Sequence, residues 1–417
     1  MWSRKNKNIL FIESGALFSY SAFTQQFLME AKAIKGRNLR IVVVAYESLK
    51  DIVTGKSHMY KEILQRSGIT YLIIPSWFRR NIVIESVRTL INTIILGLIS
   101  LFTRADVIHA HDPASAYYAV RLKKVLRVKV IFDMHGIGIE EQIYSKQLEE
   151  NSFWHKRMTG IEQYITRNAD FIFCVSSKMR EHVEMKHGVS KSKFVITPTN
   201  VDTDLFSYSE DQKKEARSRL GLNNKFVVTF MGHVKSWQIN NILIGFLRHL
   251  KQKIGNVHFL ILTDRPKVFR EIFEENNTKG DRYSIYFLKH DEVRNYAIAG
   301  DIGILLREDS IVNRVAAPAK FGEYLALGLP VVVTKGIGDT EDIINKYKVG
   351  VVLKGTDEGS INRCIEEILN MLNEKRSELS ETCSLVANRV LSKDISINKF
   401  IRVYERCWNH DRSDFLP

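Results

Sequence analysis

Short apolar runs alternate with longer amphipathic stretches along the first half of this chain. The runs have the length of buried strands, and the stretches between them repeat their apolar residues at helical spacing. This alternation predicts α/β structure with a doubly wound parallel sheet. The predicted strands are 8–12, 39–45, 70–74, 106–110, 128–133, 170–175 and 195–198, and helices are predicted at 18–34, 113–126 and 153–167.

A polar segment at 202–225 interrupts this pattern and has the composition of a linker with a short helix inside it. The alternation then begins again, which predicts a second Rossmann-like domain after the first. We expect the domains at 1–204 and 205–394, followed by a helical tail at 395–417. The predicted strands of the second domain are 226–231, 257–263, 284–288, 302–306 and 331–333.

The composition agrees with a soluble protein of two domains. A length of 417 residues exceeds what one hydrophobic core ordinarily supports, and 45% hydrophobic with 26% charged residues is typical of globular proteins. The four cysteines show no CxxC spacing, which argues against a disulfide or zinc framework and fits a reducing compartment. The apolar run near the N-terminus is too short for a signal peptide, so we expect a cytoplasmic protein.

The net charge of +14 is unevenly distributed. Residues 1–200 hold 29 Lys and Arg against 17 Asp and Glu, whereas residues 201–417 hold 32 against 30. This segregation favours an anionic partner for the first half, either a membrane surface or a phosphate-linked acceptor, over a generally basic solvated surface. The sequence shows no RNA-binding signature and no basic helix for DNA, so nucleic acid is not expected as a partner.

An apolar helix predicted at 82–102 raises the question of membrane contact. Its uninterrupted apolar part, 89–102, is shorter than the roughly 20 residues that span a bilayer. Two interpretations stay open: a buried helix of the first sheet, which the position between two strands favours, or an interfacial helix flanked by Arg79, Arg80 and Arg104. The second would place the protein peripherally on the inner face of the cell membrane, against its anionic surface.

Charged residues concentrate around one predicted helix in the segment 301–344. The pattern there predicts a strand, a charged loop, a helix, a Gly-Leu-Pro turn and a second strand. The loop and the helix start carry Arg307, Arg314 and Lys320, and the helix carries Glu323. A helix N-terminus near cations binds anions such as phosphate, and a carboxylate one turn later can accept hydrogen bonds from sugar hydroxyls. The segment therefore predicts a site for a nucleotide or a sugar phosphate.

Polar residues also follow several of the other predicted strands. Because parallel α/β sheets bind ligands beyond the carboxyl ends of their strands, these residues are candidates, and two such sets facing one cleft would form an active site. No cluster has the spacing of metal ligands and no nucleophile motif is present, so neither a metal nor a resident cofactor is expected. The candidates are Ser14, Gly15, His111, Asp112 and His135 in the first domain, and Gly232, Lys235, Gly338, Thr340 and Glu341 in the second.

Several of these stretches resemble the GT-B glycosyltransferases, in particular the retaining family that uses nucleotide-sugar donors, family 4 of the group 1 type. The donor-site helix, turn and loop of that family resemble FGEYLALGLPVVVTKGIGDTEDII, and the strand that opens its second domain resembles FVVTFMGH. Its interdomain stretch and its acceptor-domain strand ending in His resemble ITPTNVDTDLF and VIFDMHG. The resemblance implies two Rossmann-like domains facing a cleft, with the tail at 395–417 packing back onto the first.

The resemblance also implies how the nucleotide is held. Glu323 matches the second Glu of the family's E-x7-E motif and would bind the ribose hydroxyls. Val315 stands where that motif has its first Glu, so the identity of the donor sugar stays open.

Further positions match the family's cations and its histidine. Lys235 is the clear cation after the turn at Gly232, and Arg307 or Arg314 would supply further charge for the diphosphate. His135 matches the His that lies against the donor sugar. The expected catalytic residues are His135, Lys235 and Glu323.

The activity that the resemblance implies is metal-independent and of the hexosyltransferase type. A sugar would pass with retention from a nucleotide diphosphate sugar to a glycan or a lipid-diphosphate-linked acceptor, in surface polysaccharide biosynthesis. Two alternatives stay open. One is a nucleotide-sugar 2-epimerase of the same fold, which would act without an acceptor. The other is a non-catalytic glycosyltransferase-like partner, motivated by Val315 and His233.

Overall fold

The computed structural model describes residues 7–14, 30–31, 34, 39–54, 61–62, 64–76, 81–232, 241–276 and 280–409. The chain divides into two compact units, the first formed by residues 1–197 and 396–417 and the second by residues 198–395. The first boundary thus follows residue 197, where the sequence placed it after residue 204.

The first unit is built on a seven-stranded, wholly parallel sheet in the order β3-β2-β1-β4-β5-β6-β7. The direction of the strand order reverses between β1 and β4, and α/β sheets bind ligands at such a switch point. The strands are β1 (Asn8–Ser14), β2 (Arg40–Ser48), β3 (Thr70–Ser76), β4 (Val107–Ala110), β5 (Lys129–Met134), β6 (Phe171–Cys174) and β7 (Phe194–Ile196).

Helices connect these strands, and a C-terminal helix completes the core of the first unit. Phe400, Val403, Tyr404 and Cys407 of that last helix are buried with residues of β1, β2 and β4. The predicted helix at 18–34 lies mostly outside the described residues. The helices before the second unit are α1 (Leu49–Val53), α2 (Ile82–Thr103), α3 (Pro113–Leu126), α4 (Gly138–Tyr144), α5 (Phe153–Asn168) and α6 (Ser177–His187).

Helix α2 differs from the buried helix that its position between two strands favoured. Several of its apolar side chains are exposed, with Leu98 at 63% and Phe102 at 92%. It is also the one described helix that is long and apolar enough to cross a membrane, by length and composition. The interpretation as a wholly buried helix is therefore wrong.

The second unit is built on a six-stranded parallel sheet in the order β10-β9-β8-β11-β12-β13, with its switch point between β8 and β11. The edge strand β13 was not among the predicted strands, although it is as long as β11 and β12. The strands are β8 (Phe226–Gly232), β9 (Val257–Thr263), β10 (Tyr283–Tyr286), β11 (Ile302–Leu305), β12 (Val331–Thr334) and β13 (Gly350–Leu353).

Helices flank this sheet as well, and one of them, α12, carries Glu323, the residue predicted to bind the ribose. Eight helices of the described chain fall between α6 and the C-terminal helix. They are α7 (Glu210–Arg219), α8 (Asn241–Lys253), α9 (Pro266–Glu275), α10 (His290–Ala297), α11 (Ile311–Arg314), α12 (Ala319–Ala326), α13 (Thr340–Tyr347) and α14 (Glu358–Val386), before α15 (Lys393–Asn409).

Tyr324 fixes helix α12 against the second sheet. Its ring lies on Gly303 of β11, where an added Cβ would come within 2.4 Å of the ring. Its hydroxyl accepts a hydrogen bond from the Met231 N–H at 2.6 Å and lies 3.3 Å from the Ile304 carbonyl, to which it donates. Because β8 and β11 border the switch point, this side chain holds the helix that carries Glu323 close to it.

We expect Tyr324→Phe to lower the free energy of unfolding by about 1–3 kcal/mol, because the Met231 N–H loses its buried acceptor. Urea titration followed by circular dichroism measures the change. Tyr347→Phe is the matched control, since that ring lies partly exposed at the end of α13. Equal losses in the two variants would contradict the role assigned to the Tyr324 hydroxyl.

Candidate functional site

Arg307 follows β11 at the switch point of the second sheet, and its backbone is tied to the neighbouring strand. The Arg307 N–H donates to Thr334 Oγ1 at 2.9 Å, and the same hydroxyl donates to the Arg307 carbonyl at 2.8 Å. The guanidinium donates from Nη1 to Asn313 Oδ1 at 3.3 Å, and Asn313 in turn donates to the Glu308 carbonyl at 2.9 Å. The end of β12 and helix α11 therefore hold this side chain in one place.

The charge of Arg307 has no counter-ion among the described residues. Within the described part of the chain, no carboxylate lies at ion-pairing distance, and the buried Nε has no hydrogen-bond partner. Burial lowers the pKa of the guanidinium to about 10, which leaves it charged at neutral pH. An uncompensated charge taken out of water is unfavourable, and a bound anion would remove that penalty. Arg307 is therefore the strongest candidate for a phosphate ligand in the second unit.

Glu323 lies in α12 and is held by two basic side chains. Lys320 Nζ donates to Glu323 Oε2 at 2.7 Å from one turn earlier in the helix. His290 Nε2, at the start of α10, lies 3.5 Å from Oε1, and the Glu323 side chain is 6% exposed. An ionised carboxylate offers about four acceptor positions, so both oxygens can still accept hydrogen bonds from vicinal hydroxyls.

The carboxyl of Glu323 is ionised across the neutral range. Burial alone would raise its pKa, but Lys320 and then His290 outweigh burial and lower the pKa to about 2. The site therefore presents a fixed acceptor for hydroxyl groups. Lys320, predicted as a phosphate ligand, forms an ion pair with Glu323 in this structure.

The loop after β12 packs closely against the segment before α12. Gly338 has a φ of +45°, and an added Cβ there would lie 1.8 Å from the carbonyl oxygen of Ala316. Its N–H donates to the Asn313 carbonyl at 3.2 Å. Thr340 is buried, and its Oγ1 donates to a carbonyl of the same loop at 2.6 Å, while Glu341 is partly exposed in the first turn of α13. Thr340 thus closes the turn rather than presenting its hydroxyl to a ligand.

Arg314, the second arginine predicted for the donor site, is engaged elsewhere. It forms a two-pronged pair with Asp309, with both contacts at 2.6 Å, and its side chain is 57% exposed. Val315 is 2% exposed, so the position of the family's first Glu is buried. Gly232 is the last residue of β8, and Lys235 lies outside the described residues.

Three histidines surround one buried carboxylate at the switch point of the first sheet. Asp133, near the end of β5, is 1% exposed. Its Oδ2 lies 3.4 Å from His109 Nε2 and 3.4 Å from His135 Nε2. The distance from Oδ2 to His111 Nδ1 is 3.6 Å, and the His111 ring stacks on both other rings. The structure thus brings together His111 and His135, which the sequence predicted, with His109 and Asp133, which were not among the predicted site residues.

Protons are distributed unequally over this cluster. Burial lowers the pKa of His109 and lowers that of His111 well below its usual range, so both rings are neutral. Burial also acts against a charged His135, but the Asp133 carboxylate prevails and raises the pKa of that ring. Burial would raise the pKa of Asp133, yet His135 and its hydrogen-bonding neighbours hold it well below normal. His135, 20% exposed, and Asp133 therefore form the ion pair of the cluster.

The C-terminal helix supports this cluster from one side. Tyr404 of α15 is buried, and its hydroxyl lies 2.6 Å from Nδ1 of His109. That hydrogen bond occupies the ring nitrogen opposite the one that faces Asp133. Tyr404 therefore orients the His109 ring so that Nε2 faces Asp133 Oδ2 at 3.4 Å.

Glu13 is a further candidate that the sequence interpretation passed over. It lies at the end of β1, is 1% exposed, and its Oε2 has no hydrogen-bond partner in the described part of the chain. Burial first, and then the carboxylates of Asp112 and Asp133, raise its pKa well above the usual range. Glu13 is thus a protonated acid that can donate a hydrogen bond. An acidic residue inside an otherwise apolar strand was the signal in the sequence.

The remaining predictions for the first unit have local or undescribed positions. Asp112 begins helix α3, and its Oδ1 accepts hydrogen bonds from the N–H groups of Ala114 at 2.8 Å and Ser115 at 3.0 Å. Ser14 is the last residue of β1, but its side chain and the whole of Gly15 lie outside the described residues. Asp112 therefore caps the N-terminus of α3, and its negative charge acts on the Glu13 carboxyl.

The cluster also brings potential metal ligands together, although their spacing in the sequence does not indicate a site. The ligand atoms of His109, His111 and Asp133 lie within 4.8 Å of one another. The two imidazole planes, however, are inclined by only 18° at a centroid distance of 4.4 Å. Both rings also face the same oxygen of Asp133, with His109 Nε2 at 3.4 Å and His111 Nδ1 at 3.6 Å from Oδ2. We therefore interpret the cluster as a charge and hydrogen-bond network.

Comparison with known proteins matches both halves of the chain. A model described as Glycosyltransferase Family 4 matches residues 30–205, and one described as Glycosyl transferases group 1 matches residues 212–383. The chain is 22% identical over 273 residues to a subunit of the phosphatidylinositol N-acetylglucosaminyltransferase of Arabidopsis thaliana, a match that covers 64% of this chain and 55% of that protein. The chain spans about half the length of the curated relatives it matches.

Solved structures share the arrangement over almost the whole chain. A glycosyltransferase from Rickettsia africae superposes with a TM-score of 0.75 at 17% identity, covering 98% of this chain and 100% of the other. Anabaena Alr3699/HepE in complex with UDP gives a TM-score of 0.71 at 15% identity, covering 96% and 99%. Such low identities show the fold. Two family models in tandem on two parallel Rossmann-like sheets show that this chain belongs to the GT-B-fold glycosyltransferases of family 4, group 1.

Proposed function

We propose that this protein is a retaining glycosyltransferase that moves a sugar from a nucleotide diphosphate sugar to a hydroxyl group of an acceptor. The observation that carries the proposal is the charge of Arg307 at the switch point of the second sheet, which no described carboxylate compensates. Glu323, in the helix that follows, adds an ionised acceptor for ribose hydroxyls. An anion site and a diol site in one unit correspond to the two polar parts of a nucleotide diphosphate.

The proposed reaction breaks the anomeric C–O bond to the diphosphate and forms a C–O bond to the acceptor oxygen. The acceptor proton passes to the departing diphosphate, which leaves from the same face that the acceptor attacks. Negative charge grows on the diphosphate during this step, and fixed cations stabilise it. We assign Arg307 to this role, with Lys235 as a second cation. The N-terminus of α12 has no side-chain cap, so its N–H groups add partial positive charge.

We assign the cluster around Asp133 in the first unit to the acceptor side of the reaction. His135 is its cationic and partly exposed member, so it can donate a hydrogen bond to a sugar or acceptor oxygen. Asp133 keeps that proton in place, and protonated Glu13 supplies a second donor. His135 is therefore the residue of the first unit that we assign to the reacting groups.

The acceptor that we propose is a glycan or a lipid-linked glycan in surface polysaccharide biosynthesis. The excess of basic residues in the first half of the chain supports a phosphate-linked acceptor. The name of the Arabidopsis relative refers to a phosphate-bearing lipid, phosphatidylinositol. A polysaccharide intermediate carried on a lipid diphosphate contains both a phosphate group and a lipid.

A nucleotide-sugar 2-epimerase of the same fold is the second candidate. Glu13 and Asp133 are two carboxyl groups with opposite protonation in one cluster, and epimerisation requires groups that exchange protons with the sugar. Incubating the protein with a nucleotide sugar and no acceptor separates the two functions. Conversion to the epimer would favour the epimerase, and a donor that is unchanged without acceptor supports the transferase.

We expect Arg307→Met to weaken UDP or GDP binding by about 10- to 100-fold, because charge-assisted hydrogen bonds to the diphosphate are lost. The free energy of unfolding of the nucleotide-free variant should be unchanged or higher, since an uncompensated charge is removed. Isothermal titration calorimetry and urea unfolding measure the two effects. Arg314→Met is the matched control, because that guanidinium is paired with Asp309 at the surface. A larger loss of affinity in the control would overturn the assignment.

Glu323→Gln should abolish the preference for UDP over 2′,3′-dideoxy-UDP, because the carboxylate is the proposed acceptor for both ribose hydroxyls. We expect a preference of about tenfold in the wild type and none in the variant. The wild-type preference should stay constant between about pH 5 and 8, since the pKa of Glu323 is about 2. Competition binding at several pH values tests both statements. A variant that loses affinity equally for the two nucleotides would rule out ribose contact.

Asp133→Asn should lower the free energy of unfolding by about 3 kcal/mol at pH 6, and by less at pH 9. The raised pKa of His135 means that its ion pair stabilises the fold fully below the pKa of a free histidine. That contribution disappears as the pH rises through the raised value. Urea unfolding at both pH values tests this. Asp170→Asn is the control, because Asp170 is paired with Lys123 and Lys129 rather than with a histidine. Equal losses for Asp133→Asn at both pH values would contradict the ion pair.

A further inference from the structure

Helix α2 is polar on its buried side and apolar on its exposed side, the reverse of a helix that covers a soluble domain. Its fully buried positions include one large apolar side chain, Leu96. The other buried positions are Glu85, Asn92, Thr93, Gly97, Ser100 and Thr103, and the exposed apolar ones are Ile82, Val83, Val87, Leu90, Ile91, Ile94, Leu98, Leu101 and Phe102.

Hydrogen bonds and close packing hold the polar side of α2 against its own unit. Asn92 donates from Nδ2 to the Tyr118 hydroxyl at 3.3 Å, and its carbonyl accepts a hydrogen bond from Tyr46 at 3.2 Å. Gly97 packs against Leu122 of α3 so closely that an added Cβ would lie 3.3 Å from it. Both ends of α2 lead into strands of the same parallel sheet. The helix therefore cannot leave the sheet to cross a membrane, and presents one face outward.

The apolar surface continues onto the neighbouring helices. Residues from α2, α3 and α5, among them Ile82, Tyr117, Phe153 and Tyr164, line an open groove of about 560 Å³. Phe153 is 58% exposed and Tyr164 42% exposed. Aromatic side chains beside an apolar face are typical of a protein surface at the level of lipid headgroups. We call the outer surface of α2 together with this groove the apolar face.

Basic residues surround the apolar face. The guanidinium of Arg121 lies 5.5 Å from the centre of the Tyr117 ring, and Arg104 ends helix α2 at an exposed position. The charged residues on α2 itself, Glu85 and Arg88, pair with each other. Lys156 and Arg157 of α5 line the groove itself. The rim of the apolar face is therefore positively charged.

We propose that the apolar face docks on an anionic lipid bilayer, with α2 lying in the plane of the interface and its outer side chains among the headgroups and upper acyl chains. A bilayer provides an apolar layer for the helix and negative headgroups for the basic rim at the same time. A second copy of this chain fits less well, because its basic rim would repel an identical one. Docking does not depend on the proposed transfer reaction, so the two are measured separately.

Flotation of the full-length protein with lipid vesicles tests the proposal. We expect binding to vesicles of phosphatidylglycerol and phosphatidylcholine, weakening with salt, and much weaker binding to phosphatidylcholine alone. Leu98→Glu should reduce the partition coefficient by about tenfold or more. Met185→Glu is the matched control: it adds the same charge at a side chain that is 81% exposed on α6, and should bind like the wild type.

Three results would overturn the proposal. These are a wild type that stays unbound with both vesicles, equal binding by Leu98→Glu, and a dimer in sedimentation velocity that Leu98→Glu dissociates, which would identify a second copy as the occupant. The melting temperature and UDP binding of each variant show that it is folded, and Leu98→Gln repeats the test without added charge. Intact UDP binding with lost vesicle binding separates docking from the donor site.

Discussion

The hydroxyl of Tyr324 joins the two strands that border the switch point of the second sheet. It bonds to the backbone of Met231 in β8 and Ile304 in β11, and the missing side chain of Gly303 makes room for its ring. Helix α12 is thereby fixed to the sheet at the residue next to Glu323. The position of Glu323 relative to the strand that leads to Arg307 depends on this contact, so the proposed donor site rests on a buried tyrosine.

The two units differ in how far their buried charges are compensated by neighbouring side chains. In the first, His135 and Asp133 neutralise each other while two further histidines stay neutral, so the cluster is balanced without a ligand. In the second, Glu323 is balanced by Lys320 and His290, but Arg307 is not balanced by any described residue. A balanced cluster is stable in the empty protein and orients groups, whereas an unbalanced charge favours the bound state. The contrast fits a first unit that orients groups and a second unit that binds an anion.

The sequence predicted the fold well because buried parallel strands appear as apolar runs, although β13, which is as short as β12, was not recognised. It identified the loop with two arginines but not the one that lacks a partner, since Asp309 meets Arg314 only in the folded loop. Glu13 was passed over because its pKa is raised by burial in the folded sheet, and then by carboxylates distant in sequence. For α2, the pattern shows one polar and one apolar side, but not which side faces the sheet. The candidate site depends on which side chains are buried and which are ion-paired, and both are decided only in the folded structure.

The contact between Gly338 and Ala316 limits how this protein can diverge. Any side chain at 338 would overlap a carbonyl oxygen of the facing segment, so that position is closed to mutation unless the facing segment moves as well. Val315, one residue before Ala316, takes no part in this backbone contact, but its side chain is buried. Divergence in this region is therefore confined to substitutions of side chains on a backbone that descendants retain.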